Sequence, residues 1–184
     1  MPLPSPRIPP LPESEWKGET LEQLQKTGQF GRVLNIFRTL AHHPKLMKRW
    51  LVFGNHVLVK STLDAREREL VILRVGWRCR AEYEWGQHVV IAKGCGISGE
   101  EIQRVQDGPD APGWDPFERT LLRAVDELHE HAKVGDTTWK ELAQRYGTQQ
   151  LMDLVFTVGQ YTLVSMALNS FGVELDEGIE GFSQ

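Results

Sequence analysis

Apolar side chains recur three and four residues apart over most of this chain, which is the spacing of one face of an α-helix. No stretch shows the strict alternation of apolar and polar residues that a half-buried strand requires. The pattern therefore predicts an all-α fold. Roughly eight helices are expected, over residues 30–42, 45–60, 64–80, 82–94, 99–107, 116–133, 136–146 and 149–171, with a further short one over 20–28.

Polar residues that precede the apolar runs predict where several helices begin. Asp64, Ser98, Asp115 and Asp136 are expected to cap helices, and Glu67 lies at the capping-box position of the first of them. The helix over residues 45–60 is apolar on most of its sides and is expected to be central in the fold.

The first residues have a different composition, because six of the chain's ten prolines lie in residues 1–12. Proline fixes φ and donates no backbone hydrogen bond, so this segment is expected to be extended. We predict a proline-rich arm over residues 1–15 and a single helical domain over residues 16–184. The arm is either a loose terminus or a segment that lies across a neighbouring subunit.

The two halves of the helical region are weakly similar. In both halves a capped helix is followed by a longer and more apolar one. This order indicates a duplicated helical unit in which one copy alone carries the candidate site residues. A shift of 72 residues places Asp64, Glu69, Leu70 and His88 on Asp136, Glu141, Leu142 and Gln160.

Ionisable residues interrupt two of the apolar helix faces. Glu69 is the one charge on the apolar face of the helix after Asp64, and Glu84 and His88 lie one turn apart on the next helix. Charges are rarely buried without a partner, so the three side chains are expected to meet. A histidine held by carboxylates in an apolar pocket is suited to general acid/base catalysis near neutral pH.

The same three residues allow other interpretations. They could form a buried structural network, or two carboxylates and a histidine could bind a catalytic metal. A cysteine nucleophile, Cys79 or Cys95, is a further possibility. Tyr83, Trp85, Gln160, Tyr161 and Cys79 are candidate pocket residues, and the remaining charges of this region are expected on solvated faces, namely Arg66, Glu67, Arg68, Arg74, Arg78, Glu82 and Lys93.

Composition narrows the function classes. The net charge is -4 with no long basic run, which argues against nucleic-acid binding. No window of about 18 apolar residues predicts a membrane span, and no secretory signal is visible. Two cysteines without a CxxC spacing predict no disulfide framework, so a cytoplasmic location is the simplest expectation.

The segment from Glu69 to His88, with its EYEWGQH motif, resembles the carboxymuconolactone decarboxylase family, which includes the AhpD-like alkylhydroperoxidases. The resemblance is close over about residues 45–105 and extends over about residues 30–173. The peroxidases carry a glutamate, a CxxC dithiol and a histidine, which fall here on Glu69, on Ala81 and Glu84, and on His88. Without the two cysteines a disulfide cycle cannot run at these positions.

The resemblance implies an AhpD-like helical domain and a cofactor-independent enzyme of the lyase or isomerase type. It would act on a small carboxylated or lactone-like molecule, with His88 moving a proton, Glu69 orienting it and Glu84 holding the imidazole tautomer. It also implies a homo-oligomer: a dimer, trimer or hexamer. The alternatives are a non-catalytic oligomeric binding protein of the same fold and a peroxidase-related protein that does not use a CxxC pair.

Overall fold

The computed structural model of the protein describes residues 5–27 and 32–182. Among these residues there are nine α-helices and no strand, which confirms the all-α prediction. The helices are α1 (Gly18–Thr27), α2 (Asn35–Leu40), α3 (Pro44–Asn55), α4 (Ala65–Arg78), α5 (Glu82–Gly94), α6 (Gly99–Asp107), α7 (Pro116–His131), α8 (Asp136–Leu142) and α9 (Thr148–Phe171). The predicted helix boundaries at Gly28 and Phe30 lie outside the described residues.

Most of the predicted helix starts are confirmed. The carboxylate of Asp64 accepts from the Arg66 amide at 2.9 Å, Asp115 caps α7 in the same way, and Ser98 forms a full capping box with Glu101. The predicted cap of α8 is wrong, since Gly135 is the N-cap and Asp136 is the first helical residue.

Helix α4 lies at the centre of the fold, and nine of its residues are buried. One of its sides packs with α7, α8 and α9 in a core that includes Val71, Ile72 and Val75. Its other side packs with α5, α6 and α7 through Leu70 and Leu73. A helix enclosed on both sides can hold an ionisable group away from water, which is the position of Glu69.

The prediction that residues 45–60 form the central helix is wrong. Helix α3 ends at Asn55 and is followed by a π-helical segment, His56–Lys60. Within α3, Met47 alone is buried, whereas Val52 is 73% exposed. Its apolar composition therefore covers an outer surface of the chain rather than a core.

Two of the charges that were expected on solvated faces are structural. Glu67 does not complete the capping box of α4 but points inward, where it accepts from the Tyr146 hydroxyl at 2.6 Å and pairs with Arg145. Arg74 is buried and donates two 2.8 Å hydrogen bonds to Asp126, together with bonds to the carbonyls that end α6. Both residues tie α4 to its neighbours.

The described segments before α1 and after α9 both pack against the helices. The arm binds α9 through the Arg7 and Ile8 amides, which donate to the Phe171 carbonyl at 2.8 and 3.1 Å. Residues 5–12 contain no helix, as predicted, and Leu11 is buried among α1, α2 and α3. Pro2 and Pro4 lie outside the described residues.

The segment after α9 lies along α5, where Asp176 accepts hydrogen bonds from the side chains of Tyr83 and Gln87. Its Phe182 packs on Trp77 and Trp85. A Cβ at Gly86 would approach the Glu180 carbonyl to 2.6 Å, so this contact requires a residue without a side chain. The tail therefore holds the helix that carries Glu84 and His88.

Helix α9 is long and apolar enough to cross a membrane by length and composition alone, which the sequence analysis did not foresee. Half of the apolar window is buried inside the fold. Leu154, Val158 and Tyr161 belong to the main core. These contacts make α9 a core helix of the described structure.

Candidate functional site

The three ionisable residues singled out in the sequence meet between α4 and α5. His88 Nδ1 lies 2.6 Å from Glu69 Oε2, and His88 Nε2 lies 3.0 Å from Glu84 Oε1. Glu69, Glu84 and His88 are 0%, 4% and 5% exposed. The imidazole therefore bridges two buried carboxylates, one on each of its ring nitrogens.

Helix geometry and a tight connection produce this arrangement. Glu84 and His88 are one turn apart on α5, so both side chains leave the same face. Arg80 adopts a left-handed conformation (φ 52°) and turns the chain from α4 into α5. A Cβ at Gly76 would lie 3.5 Å from the Trp85 nitrogen, so the two helices approach closely near the site.

The two carboxylates favour the protonated form of His88. Burial alone lowers the pKa of the imidazole, but the hydrogen bonds to Glu69 and then to Glu84 outweigh it. The pKa of His88 is raised from 6.5 to about 10. At neutral pH the side chain is an imidazolium that donates from both nitrogens.

This pKa shift predicts a specific pH dependence of stability. A pKa that is higher in the folded protein stabilises the fold fully below the unfolded value of 6.5, and that contribution disappears as the pH passes the folded value of about 10. We expect the free energy of unfolding of the wild type to fall between these values. The slope should not exceed about 1.4 kcal/mol per pH unit for one proton.

The measurement is urea unfolding from pH 6 to 10 for the wild type, His88→Gln and His131→Gln. His131 is exposed and serves as the control that keeps the slope. The difference between the wild type and His88→Gln isolates the contribution of His88. Parallel curves for these two proteins would contradict the charge assignment.

Arg68 is a member of the site that the sequence analysis placed on a solvated face. Its Nε lies 3.4 Å from Glu69 Oε1, and its side chain is 12% exposed. No pattern revealed it, because Arg68 directly precedes Glu69 and a helix sends successive side chains in different directions. The long arginine side chain nevertheless brings its guanidinium back to the neighbouring carboxylate.

Tyr161 of α9 forms another wall. Its ring meets the imidazole of His88 edge to face, with 4.9 Å between centroids. Burial and then the charges of Glu84 and Glu69 raise the pKa of its hydroxyl well above the usual value. Tyr161 therefore remains a neutral phenol beside the charged cluster.

The other candidate pocket residues have separate environments. Tyr83 lines a cavity of about 700 Å³ under the C-terminal tail, together with Arg80 and Glu82. Trp85 is buried in the aromatic cluster with Trp77 and Phe182, and Gln160 is buried near Gly54. This cavity and a smaller apolar one between α2, α3 and α9 are not lined by the Glu69–His88–Glu84 cluster.

The structure gives little support to thiol chemistry. Cys79 and Cys95 are both free, and burial raises the pKa of each thiol. Cys79 lies at the end of α4 with its Sγ 3.8 Å from His129 Nδ1. A thiol with a raised pKa is a weak nucleophile at neutral pH because little of it is thiolate.

The geometry of the cluster also does not suit a metal. Glu69 and Glu84 occupy opposite nitrogens of the same ring, so the oxygens do not converge on one point with a free imidazole nitrogen. Among the described residues no group of three or more potential ligand side chains is placed to hold an ion.

Residues 44–127, which contain the whole cluster, match the carboxymuconolactone decarboxylase family. The match covers a little under half of the chain, and over this stretch the chain resembles the members of that family. Ala81 and Glu84 occupy the two positions where the resemblance places the cysteines of the AhpD-like peroxidases. No curated protein sequence matches the chain.

Solved structures share the fold at low sequence identity. An uncharacterized peroxidase-related protein with an AhpD core from Ralstonia eutropha is 18% identical, with a TM-score of 0.81 over 92% of this chain and 93% of that one. A putative antioxidant defence protein AhpD from Agrobacterium tumefaciens is 19% identical (TM-score 0.69, 74% and 94% covered). The debrominase Bmp8, solved with 2,3,4-tribromopyrrole, is 12% identical (TM-score 0.74, 92% and 91% covered).

Proposed function

We propose that the protein is a cofactor-independent acid/base enzyme that acts on a small carboxylated or lactone-like molecule. The observation that carries this proposal is the buried imidazolium of His88 between two carboxylates. A proton donor enclosed by acceptors can give up and regain a proton without a cofactor. The match of residues 44–127 to the carboxymuconolactone decarboxylase family supports a lyase or isomerase reaction.

The roles follow from the order of the three groups. Glu69 is fully buried and would hold the imidazole through Nδ1, so the Nε2 edge with Glu84 would face the substrate. In a decarboxylation the bond between the substrate carbon and its carboxyl group breaks, and CO₂ leaves. The electron pair of that bond stays on the substrate and passes to the neighbouring carbonyl, which gives an enolate. The Nε2 proton would reach the enolate carbon through Glu84, and solvent would reprotonate His88.

The test is turnover by purified protein on a panel of carboxylated lactones and β-keto acids, without added metal or thiol. Loss of absorbance and release of CO₂ would be followed for the wild type and His88→Gln in parallel. We expect turnover of at least one compound by the wild type and its loss in the variant. Equal rates for the two proteins, or no turnover of any compound, would overturn the proposal.

A second function is a non-catalytic binding protein in which the cluster is structural. The observation in its favour is that the cluster is nearly closed to solvent and lines neither of the two cavities described above. His88→Gln would then leave the affinity for every bound small molecule unchanged. A peroxidase-related reaction is disfavoured because burial raises the pKa of both thiols.

We also propose that the protein is a homo-oligomer. Exposed apolar side chains on α3 and α9 form one surface, where the rings of Phe53 and Phe156 meet with 6.0 Å between centroids. Val52, Leu163 and Met166 on the same two helices are more than half exposed. Apolar patches of this kind favour association, and light scattering would show whether the mass exceeds that of one 21.0 kDa chain.

Free thiols on both cysteines are consistent with a reducing compartment. We therefore propose a cytoplasmic location for the protein, which cell fractionation would test.

A further inference from the structure

The guanidinium of Arg68 has unused hydrogen-bonding capacity beside the proposed site. Its side chain is largely buried, yet among the described residues it donates no hydrogen bond. The contrast with Arg74 on the same helix is clear, since Arg74 donates four bonds to Asp126 and to two backbone carbonyls. Arginine presents five N–H groups, and leaving them unpaired in a buried setting is costly.

Charge rather than hydrogen bonding keeps Arg68 at this place. Its Nε and Glu69 Oε1 are 3.4 Å apart, and neither buried atom has a hydrogen-bond partner in the part of the chain that the structure describes. Two carboxylates and the imidazolium of His88 leave one net negative charge, which Arg68 balances. Within residues 5–27 and 32–182 no acceptor pairs with the terminal N–H groups of this guanidinium, which would leave them to a ligand.

Those terminal groups match one class of ligand. A guanidinium fork binds a carboxylate through two parallel hydrogen bonds, a geometry that a point-charge ammonium does not reproduce. The phenol ring of Tyr161 lies on another side of the cluster, with its centroid 4.9 Å from that of the His88 ring. A small acid bound by Arg68 would lie beside Glu69, which holds the imidazole of His88 through Nδ1.

We propose that Arg68 is the carboxylate anchor of the site, so that the ligands of this protein are small carboxylic acids. This inference rests on the proposed function for the location of the site. Pairing with a guanidinium stabilises a carboxylate, which would hinder its loss as CO₂. The carboxylate that Arg68 binds is therefore one that the product keeps. Arg68 is thus a positive charge beside Glu69 that the sequence pattern did not reveal.

Equilibrium binding tests the anchor without requiring turnover. The probes are γ-butyrolactone-γ-carboxylate and its primary amide, which have similar shape and differ in charge. Titration calorimetry would compare the wild type with Arg68→Gln, Arg68→Lys and Arg78→Gln. Arg78 is the matched control, since it lies on α4 and pairs with Asp126 and Glu130 away from the cluster.

We expect the wild type and Arg78→Gln to bind the carboxylate about 10- to 100-fold more tightly than the amide, the range for charged hydrogen bonds. Arg68→Gln should lose this preference, and Arg68→Lys should keep part of it because the charge remains without the fork. Retention of the full preference by Arg68→Gln, or no preference by the wild type, would overturn the anchor. Absence of any carboxylate binding to the wild type would do the same.

The test of the Arg68 anchor can succeed or fail independently of the test of the proposed enzyme activity. His88→Gln should retain the preference for the carboxylate although it loses turnover, because Arg68 does not act through the imidazole. For a substrate that the wild type converts, Arg68→Gln should raise KM more than it lowers kcat. A binding preference that depends on Arg68 in a protein without turnover would support the anchor and contradict the enzyme.

Discussion

His88→Gln is expected to reduce kcat by about 10²- to 10⁴-fold on any substrate that the wild type converts, the usual contribution of a positioned acid or base. The imidazolium is the one member of the cluster that carries a transferable proton at neutral pH, given its raised pKa of about 10. Glutamine keeps a hydrogen-bonding side chain of similar reach but cannot give up a proton. The loss should therefore appear in kcat rather than in KM.

The pH profile provides the control for this interpretation. If the imidazolium donates the proton, kcat of the wild type should fall as the pH rises through about 10. Glu69→Gln removes the largest of the effects that raise the pKa of His88, so the same fall should occur at lower pH. A kcat that rises over this range would instead identify neutral His88 as a base.

Glu69→Ala is expected to lower the free energy of unfolding by about 3–5 kcal/mol, the cost of removing one partner of a buried ion pair. Glu69 is fully buried, and its loss leaves His88 with Glu84 as its one carboxylate and removes the carboxylate beside the guanidinium of Arg68. The removed side chain also leaves a cavity in the middle of α4, next to the core residues Leu70 and Leu73. Urea unfolding at pH 7 measures the change.

Two further variants define the result. Glu22→Ala, on the exposed side of α1, should change the free energy of unfolding by no more than about 0.5 kcal/mol. Glu69→Ala combined with His88→Ala should cost less than the sum of the single changes, because the imidazolium that lost its Nδ1 partner is then gone. Additive costs would mean that Glu69 and His88 do not interact as the 2.6 Å contact indicates.

The failed predictions share a cause. Glu67 suits a capping box by sequence, but the Tyr146 hydroxyl and Arg145 compete for its carboxylate. Residues 45–60 are apolar enough for a core helix, but the centre is taken by α4, which has apolar residues on two sides and Glu69 between them. Local patterns rank candidates for burial, whereas the packing of distant segments decides between them.

The sequence by itself determined the all-α class, most of the helix starts, and the meeting of Glu69, Glu84 and His88. Helical periodicity and capping depend on residues a few positions apart, and a charge on an apolar face needs a partner. Only the tertiary structure decided that the imidazole bridges the two carboxylates, that its pKa is raised, and that the guanidinium of Arg68 lies against Glu69. These properties depend on burial and on distances between side chains, which arise when α4, α5 and α9 pack together.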